Sequence, residues 1–132
     1  PRIEMVLRDG PAAMVALRDA SIARWFTADF AQAHPEQAKR ITDMLAATDP
    51  AGYAAHCGAA RDADLREQVS SFTVPTLVIA GTQHAVTPPS GSRFIQEQVG
   101  GAEYAECHAA NLSNVQAGAA FSDRVLTFLL AR

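Results

Sequence analysis

The run Val74-Pro75-Thr76-Leu77-Val78-Ile79-Ala80-Gly81 restricts the fold of this chain more than any other segment. Thr76 to Ala80 lack the alternation of polar and apolar residues that a half-solvated strand shows. A continuous run of this kind predicts a strand buried on both faces, as in a parallel sheet. Gly81 turns the chain, and Pro88-Pro89 opens a helix that should run to about Val99 and end at Gly100-Gly101. A second short strand is expected over Ala102 to Cys107. A last helix over Ala117 to Leu130 puts Phe121, Val125, Phe128 and Leu129 at core spacing. Two parallel strands do not make a stable sheet by themselves. The expectation is that further strands lie in a preceding part of a longer chain or that a second copy supplies them.

Upstream of this segment the signals are helical and no strand is evident. Ile3, Val6 and Leu7 recur at helical spacing before Gly10-Pro11, and Ala12 to Arg18 reads as a short helix with Met14, Val15 and Leu17 on its apolar side. Trp25, Phe26 and Phe30 suggest an aromatic cluster, with Thr27 or Asp29 able to cap a turn. Pro35-Glu36 starts a helix expected to reach Ala47 and to bury Ala38, Ile41, Leu45 and Met44. Asp49-Pro50 starts another, with Tyr53, Ala54, Cys57 and Ala60 on one face, and Asp64-Leu65 a short last one. The division expected is therefore a helical region over 1–68 and a β-α-β-α portion over 69–132, an α/β fold class.

The bulk properties exclude several functions. With 48% hydrophobic and 19% charged residues and a net charge of −3, the profile is that of a soluble globular domain. Charges of both signs are interspersed, so there is no basic patch for nucleic acid or for an anionic membrane surface. No apolar run approaches the roughly 20 residues that span a bilayer. The start, Pro1-Arg2-Ile3-Glu4, is charged with no apolar core behind it and does not read as a signal peptide. It lacks an initiator Met, as an excerpt or processed product of a longer chain would. Cys57 and Cys107 have no CxxC spacing and read as reduced thiols, in keeping with a cytoplasmic protein.

Several segments together resemble 3-oxoadipate enol-lactonases, members of the α/β-hydrolase superfamily. Arg24-Trp25-Phe26-Thr27, Met44-Leu45-Ala46-Ala47-Thr48-Asp49 and Gly52-Tyr53-Ala54-Ala55-His56-Cys57 look like that family's helical cap. Val74 to Thr82, Ala85-Val86-Thr87-Pro88-Pro89 and Leu112-Ser113-Asn114-Val115 look like its last two strand ends. The resemblance implies a partial α/β-hydrolase fold, with helical cap followed by two parallel strand-helix units, from proteins about twice this length. It implies hydrolysis of a small-molecule lactone or ester in the β-ketoadipate pathway of aromatic catabolism, by a Ser-His-Asp triad and without a cofactor. Carried over by position, the acid slot falls on His84 and the histidine slot on Asn111. Trp25, Met44, Val86 and Leu112 become candidates for lining a substrate cleft. Arg24 or Arg61 could meet a substrate carboxylate, although a solvated surface arginine is the commoner case.

The same residues argue against catalysis by this chain. The family's nucleophile sits on a G-x-S-x-G elbow, and no such motif occurs here. Ser90-Gly91-Ser92 follows two prolines at a helix start and reads as turn chemistry. Asn cannot take a proton from a serine hydroxyl, and a neutral His cannot supply the charge that stabilises an imidazolium. His84 could be a rescuing base or a polar loop residue in a degraded site. A shift of the histidine role to His108 would move it roughly 10 Å along an extended chain. A zinc site from His84, Cys107 and His108 suits the ligand types, but neighbours on a strand point to opposite faces. His56-Cys57 has the same weakness on a helix. Trp25 could line a cleft or pack with Phe26 and Phe30.

The chain is thus expected to be the C-terminal portion of an enol-lactonase-like hydrolase, inactive alone. The alternative is a non-catalytic binding or homo-oligomeric assembly module. A third possibility is a split enzyme whose partner is the missing N-terminal hydrolase half. Neither nucleic acid nor membrane is an expected partner, and no metal is expected.

Overall fold

The computed structural model describes residues 1–84 and 86–131; Ala85 and Arg132 lie outside the described residues. The described chain divides into two compact units. One comprises residues 1–23 and 28–64, and the other residues 24–27 and 65–132.

The first unit is helical: α1 (Arg2–Asp9), α2 (Pro11–Trp25, whose last two residues group with the second unit), α3 (Ala28–Ala33), α4 (Pro35–Ala46) and α5 (Pro50–Asp62). Pro at the first position of α2, α4 and α5 costs no intrahelical bond there. Asp49 caps α5 through Oδ2, which accepts from the Gly52 N–H at 2.6 Å. Helices α1 and α5 pack together. The interior holds Val6, Ala13, Met14, Leu17, Ala38, Leu45 and Ala54, together with the polar Ser21 and Thr42. Thr42 is tolerated there because its hydroxyl donates to the Ala38 carbonyl at 3.1 Å, one turn back.

Three expectations need correction in this unit. Helix α2 continues through Trp25 instead of stopping at Arg18. Its buried stripe is Ala13, Met14, Leu17 and Ser21, while Val15 is exposed. In α4, Met44 is exposed and Thr42 takes the inward position.

The second unit carries α6 (Arg66–Val69), β1 (Leu77–Gly81), α7 (Pro89–Gln98), β2 (Glu103–Cys107), α8 (Ser113–Gln116) and α9 (Gly118–Leu130). The strands are parallel, with Leu77 opposite Glu103 and Gly81 opposite Cys107. The chain returns from α7 to β2 through Gly100 and Gly101, and Gly101 adopts φ +75°, a conformation that favours glycine. Helix α7 packs on both strands, as does α9.

Here too the outcome differs from expectation. Strand β1 starts one residue late, and Leu77, Val78 and Ile79 are half-buried, with Ala80 alone fully buried. Among the described residues the sheet has two strands. Each strand therefore has one hydrogen-bonded neighbour, and the second side of each remains open. The last helix is preceded by the one-turn α8. Leu129 does not join the core: Phe121, Val125 and Phe128 are half-buried, while Leu126, Leu129 and Leu130 are exposed.

Candidate functional site

In open α/β sheets ligands gather beyond the carboxyl ends of the strands. Both strand ends of this chain are in the second unit, and the loops that leave them are held together. The Thr82 N–H donates to the Cys107 carbonyl and the Gln83 N–H to the Ala109 carbonyl, each at 2.9 Å. The approach is so close that a Cβ on Gly81 would stand 2.1 Å from the Ala110 oxygen and 2.7 Å from the Ala109 oxygen. Only a glycine fits there. Ala109 and Ala110 are buried, so the second loop leaves β2 as a tightly packed segment before it surfaces at Asn111.

His84 follows directly on the β1 turn and is half-buried. Its Nδ1 accepts backbone N–H groups from Val86 at 3.2 Å and from Thr87 at 2.8 Å. The Thr87 hydroxyl lies 3.1 Å from the ring nitrogens. An imidazole that accepts at Nδ1 carries its hydrogen on Nε2. The ring thus closes its own loop by accepting the N–H groups that follow it, as a short acidic side chain would. Asn111 is exposed on the adjoining loop.

Of the candidate lining residues, the second unit brings Trp25 and Leu112 together: the Leu112 N–H donates to the Trp25 carbonyl at 3.1 Å. Both are half-buried, and Val86 is exposed on the His84 loop. Met44 lies in the first unit and is exposed. Arg61 forms an exposed pair with Asp62. Ser90-Gly91-Ser92 forms the first turn of α7, with the Gly91 N–H bonded to the Pro88 carbonyl and no strand leading directly into it. Cys57 and Cys107 are free thiols, Cys107 buried. Among the described residues no group of three His, Cys, Asp or Glu side chains converges to hold a metal ion. No described helix is long and apolar enough to cross a membrane.

Sequence reasoning missed Gln116. Its side chain reaches from α8 to Thr27 and to Ala110. The expected terminal helix began one residue later, so Gln116 belonged to no element. Gly118 was the available signal, since a glycine just inside a helical pattern suggests a boundary there.

No protein-family model matches the chain. It is 32% identical over 124 residues to 3-oxoadipate enol-lactonase 2 of Acinetobacter baylyi, covering 94% of this chain and 45% of that protein. To 3-oxoadipate enol-lactonase 1 of the same bacterium it is 34% identical over 115 residues, covering 87% and 42%. Among solved structures it superposes on the enol-lactonase from Burkholderia xenovorans LB400 with a TM-score of 0.93 and 38% identity, over 98% of this chain and 49% of that one. A hydrolase from Pseudomonas aeruginosa PA01 gives a TM-score of 0.89 at 35% identity, over 97% and 48%. A thermophilic esterase from Thermogutta terrifontis, 20% identical, shares the fold with a TM-score of 0.88 over 98% and 48%. The chain spans slightly less than half the length of the relatives it matches.

Proposed function

We propose that this chain, which belongs to the enol-lactonase-like α/β hydrolases and matches their C-terminal portion, carries the part of a carboxylic-ester or lactone hydrolase that orients the reacting groups, and that it hydrolyses nothing by itself. The observation that carries this reading is the joined pair of loops beyond β1 and β2, fastened by the Gln83 N–H to the Ala109 carbonyl. These loops bear the two positions, His84 and Asn111, that the family resemblance matches to the acid and the histidine of a Ser-His-Asp triad. The substrate class is a small lactone or ester, with Trp25, Leu112 and Val86 as lining and no cofactor.

The chemistry that the chain lacks follows from its residues. A serine nucleophile needs a base that accepts its proton and an anion that stabilises the resulting imidazolium. An Asn carboxamide at position 111 does neither. His84 at the acid slot already spends Nδ1 on the Val86 and Thr87 N–H groups. No G-x-S-x-G elbow is present to supply the nucleophile. The purified chain, assayed with an enol-lactone and a nitrophenyl ester, should show no turnover above background. His84→Asp with Asn111→His should not create activity unless the Ser-bearing half of a relative is co-expressed. Turnover by the isolated chain that is lost on mutating one of its own residues would overturn the reading.

One observation favours a second reading, a homo-oligomeric assembly module. Strand β1 is apolar yet half-buried, and Leu126, Leu129 and Leu130 on α9 are exposed. A strand with one open side is a template for another chain. Light scattering of the purified chain separates the readings, because a concentration-independent monomer excludes assembly.

A further inference from the structure

We infer that the Gln116 carboxamide is the positioning residue of the candidate site, setting the Trp25–Thr27 segment against the Ala109–Asn111 loop; the inference rests on the reading of those loops as a hydrolase site. Three hydrogen bonds from one side chain support it. Gln116 Oε1 accepts the Thr27 N–H at 3.1 Å and the Ala110 N–H at 3.2 Å, and Nε2 donates to Thr27 Oγ1 at 2.7 Å. Thr27 and Gln116 are 89 residues apart, and a fourth bond, Leu112 N–H to the Trp25 carbonyl, also ties residues 25–27 to the chain just after β2.

The placement of Gln116 is built by the local fold. Leu112 accepts the N–H groups of Val115 and Gln116 in the single turn of α8, and Ser113 is buried beneath that turn. One turn of helix brings residue 116 back over residue 112, which aims the carboxamide at the loop just upstream. One carbonyl oxygen has two lone pairs and both are used, each by a backbone donor from a different segment. A donor that loses its acceptor where water is limited costs about 1–3 kcal/mol. The carboxamide therefore fixes two backbones at one point. One backbone carries the half-buried aromatic ring that would line the cleft, and the other surfaces at Asn111. Gln116 touches no reacting group, so its effect is on where those groups stand.

A carboxylate at this position retains the arrangement. Glu would accept both N–H groups more strongly. Leu of similar size removes all three bonds.

Trp25 is the sole tryptophan, so its emission reports this junction directly. In the full chain, Gln116→Leu should shift Trp25 emission to longer wavelength, increase its quenching by acrylamide, and speed exchange of the Thr27 and Ala110 amides about tenfold or more. Gln116→Glu should restore all of these. Met14→Ala, a destabilising change inside the helical unit, should lower the unfolding midpoint but leave native Trp25 emission in place, which separates positioning from general loss of stability. If Gln116→Leu does not fold, Thr27→Val, which removes the bond from Gln116 Nε2 and leaves the Thr27 N–H to donate to Gln116 Oε1, should produce a smaller shift of the same sign. The inference is overturned if the folded variants keep wild-type emission and wild-type Ala110 exchange, or if Gln116→Glu behaves like Gln116→Leu. None of these readouts requires turnover, so failure of the hydrolase reading in the co-expression assay is distinguishable from failure of this one.

Discussion

In the helical unit Val6, Met14 and Ser21 have no exposed surface and Thr42 has 1%, whereas in the β-α unit β1 buries fully only Ala80 and α9 leaves Leu130 81% exposed. The difference follows from how each kind of element satisfies its backbone. A helix closes its hydrogen bonds within itself, so five short helices need only bury one stripe each against a neighbour. A strand depends on other strands for its N–H and C=O groups and on layers above and below for its apolar faces. Two parallel strands with α7 and α9 packed on them meet only part of that need. The β-α unit compensates at one end, where Gly81, Gln83, Ala109, Ala110 and Gln116 tie the strand-end loops into a close-packed knot. The candidate site therefore sits on the strand-end loops that these contacts join.

The sharpest way to break this contrast is Gly81→Ala. The added methyl would lie 2.1 Å from the Ala110 oxygen, and that atom belongs to buried backbone rather than a movable side chain. Separating the loops loses the Gln83–Ala109 bond and disturbs the Ala110 bond to Gln116. The expected cost is about 4 kcal/mol or more, in the range reserved for overpacking and broken networks. Urea unfolding should show it as a collapse of the cooperative transition. A variant with near wild-type stability would mean that the knot is not what organises the unit.

How much of this was legible in the residues divides along the same line. The alternation of strand and helix, the helix start at Asp49-Pro50, and the turn at Gly100-Gly101 rest on local preferences, and the structure has them. The likeness to enol-lactonases was carried by motif order along the chain and is matched by the relatives. What was missed depends on packing at a distance. Helix α2 continues past Arg18 because Ser21 extends the stripe of Ala13 and Leu17, and a small polar residue does not register as core until its surroundings are known. Met44 was expected inward because it is apolar, yet Thr42 buries instead because one carbonyl satisfies its hydroxyl. Leu129 was placed by periodicity alone, which identifies a face without saying how much covers it. At the site, His84 and Asn111 were assigned by position from the family resemblance, but the ring's role as acceptor for its own loop needs coordinates. So does the link across 89 residues made by Gln116.

A second comparison sharpens the contrast by substitution in each core. Met14→Ala empties a fully buried site in the helical unit and should cost about 2–5 kcal/mol. That loss should be independent of protein concentration. Val78→Lys places a charge on the half-buried, open-sided strand. If copies of the chain cover that strand, the substitution should dissociate them, and the unfolding midpoint of the parent chain should rise with concentration. Burial of each such side chain in an assembly is worth about 1.5–3 kcal/mol. Light scattering and urea titrations at two concentrations measure both effects. A strictly monomeric parent with a concentration-independent midpoint would remove assembly as the way the strand is covered.

The smallest expected effect concerns charge in the helical unit. Asp43 receives a hydrogen bond from Lys39 and lies 3.6 Å from Arg18, and its pKa is held below the usual carboxylate range, chiefly by the Lys39 bond. A carboxylate whose pKa is lowered on folding adds stability above its unfolded value, about 3.9, and loses it as pH falls through the folded value. The helical unit should therefore weaken at the acid end and not near neutrality. The group is exposed, so solvent and salt screen most of the interaction. Asp43→Asn should flatten the acid limb of the stability curve slightly and leave the midpoint at neutral pH close to that of the parent. Asp43 lies in the helical unit, so Trp25 emission, which reports the β-α unit, should follow the same acid limb in parent and variant. A change in Trp25 emission that tracks Asp43 would show the two units to be energetically coupled through this charge.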